Sequence, residues 1–261
     1  MSSKIYLLLI SFLLVQPDCL ADPISKAIKA LQKGKHEQVE SILKKSLLKY
    51  QINPGARYAY SLLYFDSTYI NQNLDSAHIY IEQALNDAQQ PDTVEMLPLD
   101  KASLTTENLH IHKSEVDRVA FSKAVADNTV ESFQHFIDHY QNAAQFDNAI
   151  SRRDILAFEI ASSENTYNSY LQFLNNYPEA YQVPVAKERY ELLVFEAKTA
   201  EGNLKGYYKF LEEHPETPHR ELAEWQIFQL ETLDDAPESY GRFKKNFPKS
   251  NYTSTADDIS V

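Results

Sequence analysis

Cysteine is all but missing from this chain. The one residue of that type, Cys19, lies inside an apolar leader. Once that leader is removed, no disulfide, thiol nucleophile or cysteine metal site is left. Glycine is scarce, with 5 residues. Nothing resembles a Gly-rich phosphate cradle or a nucleophile elbow, both of which need glycine at fixed offsets. Basic residues are in deficit, with 25 Lys and Arg against 37 Asp and Glu and a net charge of −12. No basic stripe offers itself to phosphates, which excludes nucleic acid as a partner and disfavours an anionic membrane surface. The acidity reads first as a source of solubility and leaves a basic partner open. The leader's apolar run, Ile5 to Val15, is too short to span a bilayer.

That leader, Met1 to Ala21, reads as a secretory signal peptide. Lys4 supplies the positive start, and Cys19-Leu20-Ala21 predicts cleavage before Asp22. The rival reading is a lipoprotein signal acylated at Cys19. It needs a small residue just before the cysteine and a leucine two residues earlier, where Asp18 and Gln16 stand. The expectation is an exported protein, periplasmic or associated with the outer membrane, with secretion as the alternative.

What the chain has in abundance is a repeated phrase. It reads DNTVESFQHFIDHYQ from Asp127, ENTYNSYLQFLNNYP from Glu164, EGNLKGYYKFLEEHP from Glu201 and DDAPESYGRFKKNFP from Asp234. The first two steps are 37 residues and the third is 33. An aromatic stands seventh (Phe133, Tyr170, Tyr207, Tyr240) and Phe tenth (Phe136, Phe173, Phe210, Phe243). In the second copy Tyr170, Phe173, Leu174 and Tyr177 fall at i, i+3, i+4 and i+7, one face of a helix. Asn128–Thr129 and Asn165–Thr166 are helix-start signals, and Pro178, Pro215 and Pro248 are stops. The small residue before each aromatic (Ser132, Ser169, Gly206, Ser239) predicts the close passage of a neighbouring helix.

A second helix lies between the phrases, also in columns: Ala149, Ala186 and Ala223; Val119, Leu156, Leu193 and Leu230; Phe121, Phe158 and Phe195. Each unit is therefore helix, Pro-marked turn, helix, and one such pair buries its apolar faces only by stacking on neighbours. Trp225, beside the Ala223 column, reads as packing. Most of the 17 tyrosines and 13 phenylalanines fall in such columns, so packing outweighs a carbohydrate platform as their use.

Upstream, Ile24 to Ala88 reads as two helix pairs, broken at Gly34, Pro54 and Asn71–Asn73. Ala77 and Ala84 stand seven apart in the last helix, and "KGKHEQVESILKKSL" places Val39 and Ser46 likewise. In this the chain resembles tetratricopeptide repeats, although the large aromatic and Gly positions of that family's first helix are poorly kept. The later array resembles the divergent tetratricopeptide-like arrays of exported bacterial proteins of the Bacteroidetes type, through "AFSKAVADNT", "AFEIASSENT" and "FLNNYPEA". The resemblance implies an all-α fold, a right-handed superhelical solenoid of about six antiparallel helix pairs. It also implies a groove lined by the first helix of a pair, which here carries partner-binding onto Leu62, Asp66 and Tyr69. The expected organisation is a signal peptide over 1–21, TPR-like helix pairs over 22–90, a linker or joint over 91–112 and a repeat array over 113–261, its last repeat incomplete. Pro91 and Pro98 interrupt the joint, and Thr105–Thr106 predicts a cap for a short helix at Glu107 to Ile111.

Chemistry-bearing residues are few. His135 and His139 stand four apart with Asp138 between, a spacing that can put two imidazoles on one metal. The repeat argues against it: their columns hold Gln172, Lys209 and Arg242, and Asn176, Glu213 and Asn246, which are solvent-facing types. His110 and His112 in the joint are a second such pair. No cofactor is expected and no catalytic residue is assigned. The expected function is a non-catalytic scaffold or adaptor that holds a protein or peptide partner in the cell envelope. The alternatives are a module binding envelope glycan or the outer membrane, and the targeting half of a longer protein.

Overall fold

The computed structural model describes residues 23–90 and 104–254; the leader and most of the expected joint lie outside the described residues. Among the described residues there are twelve α-helices and no strand. The chain divides into two compact units, one of Met1–Lys123 with Asp138–Phe146, the other of Ala124–Ile137 with Asp147–Val261.

The first unit holds α1 (Pro23–Leu31), α2 (His36–Lys49), α3 (Pro54–Phe65), α4 (Leu74–Ala88) and most of α5 (Thr106–Asp127). Gly34 turns the chain between α1 and α2 at φ 67°, a left-handed conformation that costs glycine nothing. Asn53 starts α3 by accepting from the Ala56 N–H, and Asn73 starts α4 by accepting from the Ser76 N–H. One core joins Ile24 and Ala27 of α1, Val39 and Leu43 of α2, and Ala56, Ala59 and Leu63 of α3. Small residues let α3 and α4 approach closely: Ala77 and Ala84 are fully buried, and Ser61 Oγ donates to the Ala77 carbonyl at 2.7 Å. Val39 and Ser46 are buried at the matching places on α2. Asp87, near the end of α4, accepts from the Asn53 N–H at 2.9 Å and from Arg57 Nε at 2.5 Å, tying the end of α4 to the start of α3.

The joint differs from its expected form. α5 runs unbroken from Thr106 to Asp127, not as a short helix confined to Glu107 to Ile111. No Pro or Gly interrupts it, and Leu109, His112, Val116, Ala120 and Ala124 keep one buried stripe along its length.

The second unit holds most of α6 (Val130–His139) and α7 (Phe146–Glu164), then α8 (Tyr167–Asn176), α9 (Val183–Lys198), α10 (Leu204–Glu213), α11 (Arg220–Glu231) and α12 (Pro237–Asn246). Its ring packing repeats with the same partners at similar distances. Phe158 of α7 meets Tyr170 and Phe173 of α8 at ring distances of 6.2 and 5.5 Å. Phe195 of α9 meets Tyr207 and Phe210 of α10 at 6.3 and 5.2 Å. Phe228 of α11 meets Tyr240 and Phe243 of α12 at 6.1 and 5.1 Å. In all three the second contact is edge-to-face, the arrangement the ring quadrupoles favour.

This geometry corrects the column drawn through Leu230. Helix α11 has 12 residues where α9 has 16, so the 33-residue step is one missing turn within that helix. Ala223 keeps the 37-residue register at the start of α11, while Phe228, 33 beyond Phe195, takes over its role at the end.

Two further columns come from the structure. The second residue of a phrase is left-handed each time: Asn128 at φ 48°, Asn165 at 49°, Gly202 at 61° and Asp235 at 51°. These are the residue types that tolerate that region. Next, Thr166 and Asn203 cap the following helix by accepting from the N–H of Ser169 and Gly206. The small residue before the aromatic faces the end of the preceding helix, not the side of a neighbour. Ser132 Oγ donates to the Ala124 carbonyl at 3.1 Å and Ser169 Oγ to the Ala161 carbonyl at 2.9 Å. A Cβ at Gly206 would stand 3.5 Å from the matching Lys198 carbonyl. Each bond adds a second donor to a last-turn carbonyl that already accepts from the Asn128 or Asn165 N–H. Trp225 packs as expected, with Phe228 at 5.8 Å and Tyr252 at 4.8 Å.

Candidate functional site

The strongest candidate site is a tyrosine cluster in the first unit. Tyr60 and Tyr64 stand four apart on α3, and so project from one face of it. Tyr80 of α4 stacks on both, with ring centroids 4.8 and 5.6 Å away and interplanar angles of 17° and 9°. Tyr60 and Tyr64 are themselves nearly parallel, at 24° and 6.4 Å. The three rings form a half-buried slab.

Tyr69 closes one side, edge-on to Tyr64 at 5.8 Å, and its hydroxyl donates to Glu40 of α2. His36 packs on Tyr69 at 5.3 Å and bonds Asp66 through Nε2 at 2.9 Å. A cavity of ≈ 700 Å³ opens at Tyr69 and Glu40, lined also by His36, Glu37, Ile70 and Asn71 among others. Ile70 at its rim is 93% exposed.

The electrostatics of the cluster are one-sided. Burial raises the Tyr60 phenol, and Tyr80, Tyr64, Glu40 and Tyr69 add to it, together bringing it to about 12. Tyr64 is raised by burial and then by Tyr80 and Glu40. Asp66 is held below its ordinary value first by the Thr68 N–H, at 2.9 Å, then by His36. The two phenols are thus held neutral, while Asp66 is held ionised.

Of the three residues placed in a groove by resemblance, the structure brings two together. Asp66 and Tyr69 meet through His36. Tyr69 is itself buried, 6% exposed, so its ring packs and its hydroxyl holds Glu40 in place. Leu62 is half-buried and two residues from both Tyr60 and Tyr64, on the opposite side of α3. Tyr60, Tyr64 and Tyr80 were missed as a group. The signal was present, since Tyr60 and Tyr64 are a helical i, i+4 pair and Tyr80 lies on the apolar stripe of α4, but only the contact between α3 and α4 joins them.

A second cluster in the same unit is buried and ionic. Asp117 of α5 accepts from His78 Nδ1 at 2.7 Å and from Lys113 at 2.6 Å. Lys113 also lies 3.3 Å from Glu82. Tyr140 packs on the His78 ring at 4.5 Å and donates to Asp75 at 2.7 Å, which, after burial, raises its phenol further. A His–Asp pair is an arrangement used for proton transfer. Here, though, His78 is 6% exposed and its other nitrogen faces Glu82 at 3.9 Å. That nitrogen meets a carboxylate, so the pair orders the helices.

The histidine candidates separate. His112 is buried against Tyr58 and Phe65, each at 5.4 Å. Its Nε2 stands 2.9 Å from Ser61 Oγ, whose proton goes to the Ala77 carbonyl, so the imidazole is the donor. Burial pushes His112 down to about 4. His110, two residues away on α5, is on the other side and lines a cavity of ≈ 390 Å³ with Lys113 and Gln145. His135 and His139 are exposed, one turn apart on α6. Within the first unit, a His139 ring nitrogen comes within 4.8 Å of an Asp75 carboxylate oxygen. Among the described residues no helix is long and apolar enough to cross a membrane. No family model matches the sequence, and no curated protein matches it.

Proposed function

We propose that this protein is a non-catalytic scaffold that holds a protein or peptide partner on a helical-repeat surface. The observation that carries the reading is the half-buried slab of Tyr60, Tyr64 and Tyr80, joined through Tyr69 to an open cavity. Tyrosine is a residue of binding surfaces because it offers large contact area at little entropic cost. The repeat itself supports the reading. Phrase after phrase, its aromatic positions serve the same packing contact, which suits a stacked tetratricopeptide-like solenoid that presents a surface. The buried Asp117 carboxylate is engaged by His78 and Lys113 from within the fold, which supports a role without catalysis. The signal-peptide reading of the leader supports a location outside the inner membrane, in the periplasm or at the outer membrane, with secretion as the alternative.

The test is site-specific photo-crosslinking in cells, with the crosslinking residue at Tyr64 or, as a control, at Leu171 of α8. A discrete adduct formed from position 64 and absent at 171 is expected. Equal, diffuse labelling from both positions refutes the reading.

One observation favours envelope glycan instead: Tyr181, outside the repeated columns, is 95% exposed. Retention on isolated envelope glycan that is lost with Tyr181→Ala would establish that reading.

A further inference from the structure

We infer that the tyrosine slab receives a cationic side chain, the arginine or lysine of a basic segment in the partner. The inference rests on the scaffold reading above and names the chemistry of its site. Three nearly parallel phenol rings present electron-rich surface, and such surface attracts a cation placed within about 6 Å of a ring centroid. Elsewhere the protein supplies such a cation itself: Arg153 sits over Tyr177 at 5.1 Å and Lys49 over Tyr50 at 4.9 Å. Among the described residues, no lysine or arginine covers Tyr60, Tyr64 or Tyr80.

Glu40 gives the second, independent half of the argument. Its carboxylate is half-buried beside the rings and accepts from the Tyr69 hydroxyl. It has no ion-pair partner among the described residues. Asp66, the acid on the other side of Tyr69, is already engaged with His36. Glu40 is thus the negative charge at this place that a partner is left to neutralise. Glu37 lines the same cavity, and Lys35 is the one lysine there. The net charge of −12 would draw a basic segment from a distance. Arginine suits the site better than lysine. Its planar guanidinium lies flat on an aromatic ring and still bonds a carboxylate edge-on, whereas an ammonium is a point charge.

The probe is a fluorescein-labelled Gly-Ser peptide carrying arginines, set against the same peptide with citrulline, which keeps the shape and removes the charge. Binding to the full chain is read by anisotropy. The arginine peptide is expected to bind about tenfold or more tightly than the citrulline one, the size of a well-placed cation–π contact with its carboxylate. Tyr64→Leu and Glu40→Gln should each remove most of that preference, and Tyr64→Phe should retain it. Should Tyr64→Leu fail to fold by circular dichroism, Glu40→Gln carries the test alone, since this side chain is half-buried and outside the apolar core. Equal binding of the two peptides, or an arginine preference untouched by Glu40→Gln, overturns the inference. If position 64 still yields a discrete crosslinked partner in cells, the scaffold reading survives that result. If no adduct forms there either, both fall.

Discussion

Acidification should loosen the first unit through one residue, His112. Its imidazole is buried between Tyr58 and Phe65, and its Nε2 proton is committed to Ser61. Burial brings it from 6.5 down to about 4 in the folded protein. In the unfolded chain it titrates at its ordinary value, so between about pH 6.5 and 4 the unfolded state binds a proton that the folded state refuses. Stability then rises with pH across that window, and what is present at neutral pH is lost as the pH falls toward 4. A depression of this size corresponds to about 3 kcal/mol at most, at 1.36 kcal/mol per unit. The assay is urea denaturation at a series of pH values from 7 down to 4, for the natural protein and for His112→Gln. Glutamine keeps an N–H for Ser61 and does not titrate. The variant should lose about 2–3 kcal/mol less than the natural protein over that range. Other carboxylates contribute equally to both proteins and cancel in the difference. Parallel curves for the two proteins would refute the argument.

Other perturbations read the remaining structure. Asp117→Ala strands Lys113 and His78 without their shared carboxylate and should cost about 3–5 kcal/mol in chemical denaturation; a loss under 1 kcal/mol would show that the cluster is solvated. Phe173→Ala and Phe228→Ala should each cost about 3–5 kcal/mol, since each ring is buried in the same aromatic contact. Leu230→Ala, at a half-buried position, should cost clearly less than Phe228→Ala; the reverse order in thermal melts would restore the register drawn from sequence alone. Gly202→Ala should destabilise by about 1–2 kcal/mol, because φ 61° penalises a Cβ, whereas Asn165→Gly should be nearly neutral. Equal melting temperatures for Gly202→Ala and the natural protein would remove the argument from backbone handedness.

The helical content was legible because its signals are local. Thr166 as a cap, Phe173 and Tyr170 as one face, and Pro178 as a stop are each fixed by residues within a few positions. The start of α5 misled because Thr105–Thr106 read as the cap of a short helix, while the stripe that carries the helix on, Leu109 to Ala124, spans about four turns and has small or polar members. Phe228 was overlooked because a fixed 37-residue ruler passes over a missing turn, which only ring contacts reveal. The tyrosine slab was illegible for another reason. Tyr60 and Tyr80 are 20 residues apart in different helices, and no periodicity links them; the small side chains of Ala77 and Ser61 bring their helices close. Resemblance led to Asp66 and Tyr69, the edge of that cluster, without reaching its centre.

The shortened α11 bears on how such a chain can change length. Removing four residues turns a helix through about 400°, so the face lost is regained within about 40°. Phe228 accordingly reaches Tyr240 and Phe243 as Phe195 reaches Tyr207 and Phe210. A two-residue deletion would swing the phenylalanine to the far side and leave the next phrase without its ring. The connecting helices of this protein therefore behave like a thread with a fixed pitch: they can be cut or extended, but only by whole turns, and the spacing between successive phrases is quantised accordingly.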